Sequence, residues 1–162
     1  MGIRKAFTME KSRVQIAVDY NLKWGYNCSQ AVALTYADKF NLDPTLCFKA
    51  TEAFGAGMGG KLGTCGALSG AIFLAGFKTS TGNLDQDPKN KSKKDSYELS
   101  KAITDAFFAQ NKTITCKDLK DVKSETFRSC PNCIADAAIL VEKFIFTGEF
   151  EESTYYLDHL TF

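Results

Sequence analysis

Phe54-Gly-Ala-Gly-Met-Gly-Gly-Lys-Leu-Gly-Thr-Cys-Gly-Ala-Leu-Ser-Gly-Ala-Ile-Phe-Leu-Ala-Gly-Phe77 has two halves of opposite character: a glycine-dense loop, then a nearly continuous apolar run. The run from Ala67 to Phe77 is too short to span a bilayer, so it reads as the buried central helix of a bundle. Gly66, Gly70 and Gly76 would let neighbouring backbones come close to it. In the loop, Gly55, Gly57, Gly59, Gly60 and Gly63 give a backbone free to take positive φ and to approach another group, a freedom that costs stability and so implies a steric demand. Thr64 reads as the N-cap of the central helix, with Cys65 in its first turn. There the helix dipole and unpaired amides favour thiolate over thiol, and thiolate is the form that attacks disulfides or binds metal.

Outward from this stretch the chain keeps a helical period. Thr8 to Trp24 reads as a helix that Gly25 can end, through Val14, Ala17 and Val18 at spacings of three and four. Asn27 and Gln30 form a capping box for a second helix through Ala31, Val32, Leu34, Tyr36, Ala37 and Phe40, with Cys28 in its first turn. Asp43 caps a third helix, with Pro44 at its first position, running to Phe54 and enclosing Cys47. Past the central helix, Lys78 to Asp95 is Ser, Asn, Asp, Lys, Gly and Pro with almost nothing to bury, the composition of a solvated linker. Helical period resumes at Ser96 through Leu99, Ala102, Ile103, Ala106 and Phe107. Thr115-Cys116 opens a short polar helix. Ser129-Cys130-Pro131 opens a strong last one through Ile134, Ala137, Ala138, Val141 and Phe144, ending near Gly148. No sustained apolar–polar alternation occurs, so the expected fold is all-α: a single-domain bundle of about six helices over residues 1–148, with a linker at about 78–95 and an aromatic, acidic tail at 149–162. The tail is expected to pack on the body or on a second subunit, which leaves a homodimer open.

With 20 basic against 19 acidic residues in 162, nothing electrostatic favours nucleic acid or an anionic membrane. Small ligands or a protein partner remain. The amino end lacks the apolar core of a signal peptide, and no stretch reaches the roughly 20 apolar residues of a membrane span, so a cytoplasmic location is expected. Six cysteines in such a context point to metal binding or redox chemistry rather than a disulfide framework.

Four of the six share one setting. Asn27-Cys28, Thr64-Cys65, Thr115-Cys116 and Ser129-Cys130 each place the thiol just behind a capping residue, whereas Cys47 and Cys133 do not. If these helix starts converge, dipoles and free amides would offset the charge of a tetrathiolate metal site or an iron–sulfur cluster held by Cys28, Cys65, Cys116 and Cys130, with Gly57, Gly59, Gly60 and Gly66 letting backbone approach it. Their spacing lacks the paired Cys-x-x-Cys sets of a zinc ribbon, so spacing alone is a weak metal signal. Cys130-Pro131-Asn132-Cys133 also has the form of a catalytic dithiol opening a helix, though without the strand pattern of a thioredoxin-like unit. Gly55-Ala-Gly57-Met-Gly59-Gly60 follows a helix rather than a strand, which argues against a dinucleotide site, and Leu62 after Lys61 defeats a phosphate-loop reading. His159, the only histidine, reads as a surface or packing residue, which excludes a nucleophile paired with a histidine elsewhere in the fold.

Asn27-Cys28-Ser-Gln-Ala, the glycine loop leading to Cys65-Gly-Ala-Leu-Ser-Gly70, Cys116, and Cys130-Pro-Asn-Cys-Ile-Ala-Asp-Ala-Ala together resemble the C-GCAxxG-C-C family of redox-active proteins, over about residues 10 to 146. The resemblance implies a small all-helical protein whose four characteristic cysteines map to Cys28, Cys65, Cys116 and Cys130. The family's name reads Gly-Cys-Ala where this chain has Cys65-Gly66-Ala67, and Cys47 and Cys133 are additional thiols. A similar module joined to haem-containing redox proteins implies electron transfer with an iron–sulfur centre and a redox partner protein. The expected function is therefore electron transfer or redox sensing through a four-cysteine centre. The alternatives are a thiol/disulfide oxidoreductase using Cys130 and Cys133, or a structural zinc-thiolate protein.

Overall fold

The computed structural model describes residues 11–84, 89–150 and 160–162. Seven α-helices lie among them: α1 (Arg13–Leu22), α2 (Cys28–Tyr36), α3 (Pro44–Glu52), α4 (Gly66–Thr79), α5 (Lys93–Asn111), α6 (Cys116–Lys120) and α7 (Cys130–Phe144). The described residues contain no strand, only one isolated antiparallel bridge between Thr64 and Thr115. The all-α reading therefore holds.

The apolar run is the centre of the bundle. α4 packs on α2, α7 and α5, and it buries Ala67, Leu68, Ala71, Leu74 and Ala75 against Val32, Tyr36, Ile103, Phe107, Ile134 and Val141. Gly70 permits this closeness. A Cβ there would sit 2.7 Å from the Ser29 carbonyl oxygen and 3.2 Å from Val32 Cβ, so α2 and α4 meet backbone to side chain with no room between. Gly76 has no such neighbour, and the close approach expected there does not occur.

Caps explain most helix boundaries. Ser12 Oγ accepts from Gln15 N at 3.1 Å and starts α1, which ends at Leu22, with Gly25 N bonded back to Asn21 O at 3.2 Å; the expected start at Thr8 falls outside the described residues. The capping box of α2 is present, and Asp43 accepts from Leu46 N at 2.7 Å ahead of Pro44. α5 differs from expectation because it starts behind Ser92, not Ser96, and so takes in Lys93 to Asp95. Polar composition marked that segment as solvated, which a helix face also is. Both serines instead tie the connection down: Ser92 Oγ accepts from Thr81 N at 3.2 Å, and Ser96 Oγ meets Thr79 Oγ1 at 2.7 Å. α7 ends at Phe144, earlier than the Gly148 stop, and Phe146 folds back to stack on Tyr36 with ring centres 5.8 Å apart. His159 and tail residues 151–159 lie outside the described residues.

Candidate functional site: a cluster of thiols at four helix starts

The starts of α2, α4, α6 and α7 bring Cys28, Cys65, Cys116 and Cys130 into one another's electrostatic reach, and Cys133 joins them from one turn inside α7. Cys47 does not take part. It packs in a separate small cluster with Ala33 and Ala37.

Each thiol is positioned by its own backbone device. Cys28 follows the Asn27 cap, whose Oδ1 accepts from Gln30 N at 3.0 Å and whose Nδ2 donates to Glu52 O at 2.8 Å, tying the α2 start to the α3 end. Cys65 is itself the N-cap of α4, one place earlier in the helix than the sequence implied. The reason is the bridge: Cys65 N donates to Ile114 O at 2.7 Å and Cys116 N to Gly63 O at 3.0 Å, which keeps Thr64 extended. Ser129 Oγ accepts from Asn132 N at 3.3 Å and holds Cys130 at the first position of α7.

The glycine loop is not a helix but a left-handed turn, with φ of 51° at Ala56, 57° at Gly57 and 62° at Met58. Only at Gly57 is glycine demanded by the thiols. Its missing Cβ would lie 2.4 Å from Cys116 Cβ and 3.4 Å from Cys116 Sγ. Gly66 borders Cys28, with 3.5 Å between its notional Cβ and Cys28 Cβ, while Gly59 and Gly60 face open space. An apolar cavity of about 480 Å³ opens beside the loop between Phe54, Met58, Leu68, Ile72 and Ile114, and no cysteine lines it.

Lys120, which the sequence reading passed over as part of a polar helix, projects among the sulfurs. Its Nζ donates to Arg128 O at 2.6 Å and lies 3.7 Å from Cys133 Sγ. Arg128 is fixed in turn by a two-bond pair with the fully buried Asp136, at 2.7 and 2.8 Å, and Gln110 Nε2 adds a bond to the same carboxylate at 2.8 Å. The segment leading into Cys130 is thereby anchored to α7 itself.

Residues 26–144 match the family described as "Putative redox-active protein (C_GCAxxG_C_C)". The chain belongs to this family. No curated protein and no solved structure matches it. Within the C_GCAxxG_C_C fold seen here, all six cysteines are free and the clustered thiols stand in loose pairs, Cys28 with Cys130 and Cys65 with Cys133. Among the described residues no three His, Cys, Asp or Glu side chains group closely enough to hold a metal ion.

The pairs are electrically asymmetric. The Cys28 thiol directed at its sulfur, with Lys120 adding to the effect against the cost of burial, brings Cys130 down from 9.0 to about 5. Cys28, facing that thiolate and buried, is pushed well up. In the second pair the Cys133 thiol lowers Cys65 to about 7 despite burial, helped by the Ala67 and Leu68 amides, which point at the sulfur without closing to hydrogen-bond geometry; Cys133 is pushed up by the same contact. Burial raises Cys116. For Lys120, burial opposes the charge, yet the surrounding thiolates outweigh it and raise its pKa. Near neutral pH the first pair therefore holds one thiolate and one thiol, and in the second Cys65 is about half ionised beside the Cys133 thiol, with Lys120 the cation that acts on both pairs.

Proposed function

We propose that this redox-active protein works by thiol–disulfide exchange, with Cys130 as the attacking thiolate and Cys28 as the resolving thiol. One observation carries this reading: Cys130 is the only half-exposed thiol of the cluster, it is the most acidic, and the sulfur it faces belongs to the buried Cys28. The Cys130 thiolate attacks one sulfur of a disulfide on a partner protein, forming a mixed disulfide and releasing the other sulfur as thiolate. Once its charge is consumed, the main obstacle to ionising Cys28 is gone. Cys28 then gives up its proton, attacks the Cys130 sulfur and expels the partner's second thiolate, so that two electrons pass to the partner. The Cys130–Cys133 dithiol is disfavoured because Cys133 faces Cys65, whereas Cys28 faces Cys130.

The test is mixed-disulfide trapping. Cys28→Ser is expected to accumulate a mixed disulfide at Cys130, Cys130→Ser to abolish exchange, and Cys133→Ser to leave the first exchange intact. Accumulation with Cys133→Ser in place of Cys28→Ser would overturn the assignment.

A second reading, electron transfer through an iron–sulfur or zinc-thiolate centre on Cys28, Cys65, Cys116 and Cys130, draws on the convergence of four helix starts. It requires the sulfurs to gather as a common ligand set, a grouping of three or more that the described residues do not form. Iron and zinc analysis with a visible spectrum of anaerobically purified protein decides the matter. Stoichiometric metal bound to these four residues would favour the second reading, and colourless metal-free protein the first.

A further inference from the structure

We propose that Cys65 and Cys133 form a second, internal dithiol that is oxidised through the outer pair, so that one chain can donate four electrons by closing two disulfides, Cys28–Cys130 and Cys65–Cys133. The inference rests on the exchange chemistry proposed above and adds a store behind it.

Cys65 and Cys133 are 1% and 0% exposed, so no external disulfide can reach either sulfur. They nevertheless face each other across the α4–α7 contact, which makes them a dithiol without direct access to an oxidant. Electrons can leave this pair only through a neighbouring sulfur. Cys28 is that neighbour: its Cβ packs on the Gly66 backbone directly after Cys65, 3.5 Å from where a Gly66 side chain would begin, and it belongs to the same buried cluster as Cys65 and Cys133. The alternative inner partner, Cys116, also lies within electrostatic reach of Cys65, but its Cβ is pressed beneath Gly57 of the left-handed turn and its backbone is pinned by the Cys116 N to Gly63 O bond.

The relay balances. A first disulfide substrate oxidises the outer pair and leaves as two thiols. The Cys65 thiolate then attacks the Cys28 sulfur of the Cys28–Cys130 disulfide, forming Cys28–Cys65 and releasing the Cys130 thiolate. Cys133 loses its proton and attacks the Cys65 sulfur, closing Cys65–Cys133 and releasing Cys28, which takes up that one proton, so the outer pair is again one thiolate and one thiol. A second disulfide substrate oxidises Cys28 and Cys130 again. Lys120, bonded to Arg128 O and 3.7 Å from Cys133 Sγ, is within electrostatic reach of all four sulfurs of the relay.

The experiment uses the full chain, reduced and desalted without oxygen, then titrated with glutathione disulfide, acid-quenched, unfolded and alkylated. Four of the six thiols are expected to disappear, with Cys47 and Cys116 left free and peptide mapping showing Cys28–Cys130 and Cys65–Cys133. Cys133→Ser is expected to stop at one disulfide. Loss of only two thiols with Cys28–Cys130 formed would overturn the internal store while leaving the proposed exchange intact. A mapped Cys65–Cys116 bond would overturn the inner pairing, and no loss of thiols at all would sink both. The wild-type count decides even if a buried-cysteine variant fails to fold.

Discussion

The reactivity of Cys130 comes from its partners more than from its helix. The Cys28 thiol is the largest influence holding it near 5, and Lys120 is secondary. Alkylation of Cys130 by iodoacetamide, followed as rate against pH, is therefore expected to have its midpoint near 5. Cys28→Ala should move that midpoint upward further than Lys120→Met does, and Lys120→Arg should move it least, because the cation is kept. A larger shift from Lys120→Met than from Cys28→Ala would show that charge, not the thiol partner, sets the site. At this scale the sequence told half the story. A capping residue followed by cysteine, at Asn27-Cys28, Thr115-Cys116 and Ser129-Cys130, is a local signal, because cap and thiol are consecutive along the chain. Lys120 carries no such signal. It sits in Lys117-Asp-Leu-Lys120, a stretch that reads as solvated, and acquires its role only because α6 is docked against the start of α7 through the bond from Arg128 N to Leu119 O at 2.8 Å. The pairing of Cys133 with Cys65 was hidden for the same reason, since contact between chain segments far apart in sequence leaves no trace in spacing.

The elements were more legible than their junctions. Period and caps located the starts of α2, α3 and the central α4 to within a residue, because apolar spacing and capping chemistry are properties of consecutive residues. By contrast, α2 gives way to a 3-10 turn over Ala37–Phe40 and α3 ends at Glu52, short of the expected Phe40 and Phe54. The glycine loop was recognised as sterically required, yet which glycine was required depended on Cys116 arriving beneath Gly57 from about sixty residues further along. Gly57→Ala is accordingly expected to be costly on two counts, a positive φ of 57° and a Cβ forced to 2.4 Å from Cys116 Cβ. We expect a loss of about 2 kcal/mol or more in denaturant unfolding, whereas Gly60→Ala, with nothing within 4 Å, should cost well under half of that. Equal losses would mean that the loop does not rest on the thiol. The junction into α7 depends on Arg128 and Asp136. Removing the guanidinium by Arg128→Ala leaves a carboxylate with 0% side-chain exposure uncompensated, for which about 3 kcal/mol is expected, and the freed Ser129–Cys130 start should slow exchange at Cys130 as well.

Across the whole molecule the bundle separates two buried polar centres. The thiols occupy the end where four helices begin, and Glu142 lies near the far end of α7, 4% exposed, beneath Tyr36. Tyr36 Oη donates to Glu142 Oε1 at 2.8 Å and lies 3.3 Å from Ala138 O, while Oε2 has no hydrogen-bond partner among the described residues. Burial is the dominant influence on this carboxyl. It outweighs the Tyr36 bond and the more distant Arg13 charge and raises the pKa from 4.5 to about 7. The folded chain thus keeps a proton that the unfolded chain has already released, so the contribution of Glu142 to stability is fully present below about pH 4.5 and declines as pH rises towards 7. Converted at 1.36 kcal/mol per pH unit, the loss across that interval is about 3 kcal/mol. Glu142→Gln mimics the protonated side chain at every pH. It is expected to match wild type in unfolding free energy near pH 4.5 and to exceed it increasingly up to pH 8, by an amount approaching that figure. Because the thiols are common to both proteins, subtracting the two pH profiles isolates this one carboxyl from the titration of Cys130 and Cys65. Parallel profiles would mean that Glu142 is already ionised in the folded bundle and that Arg13, not a proton, compensates it.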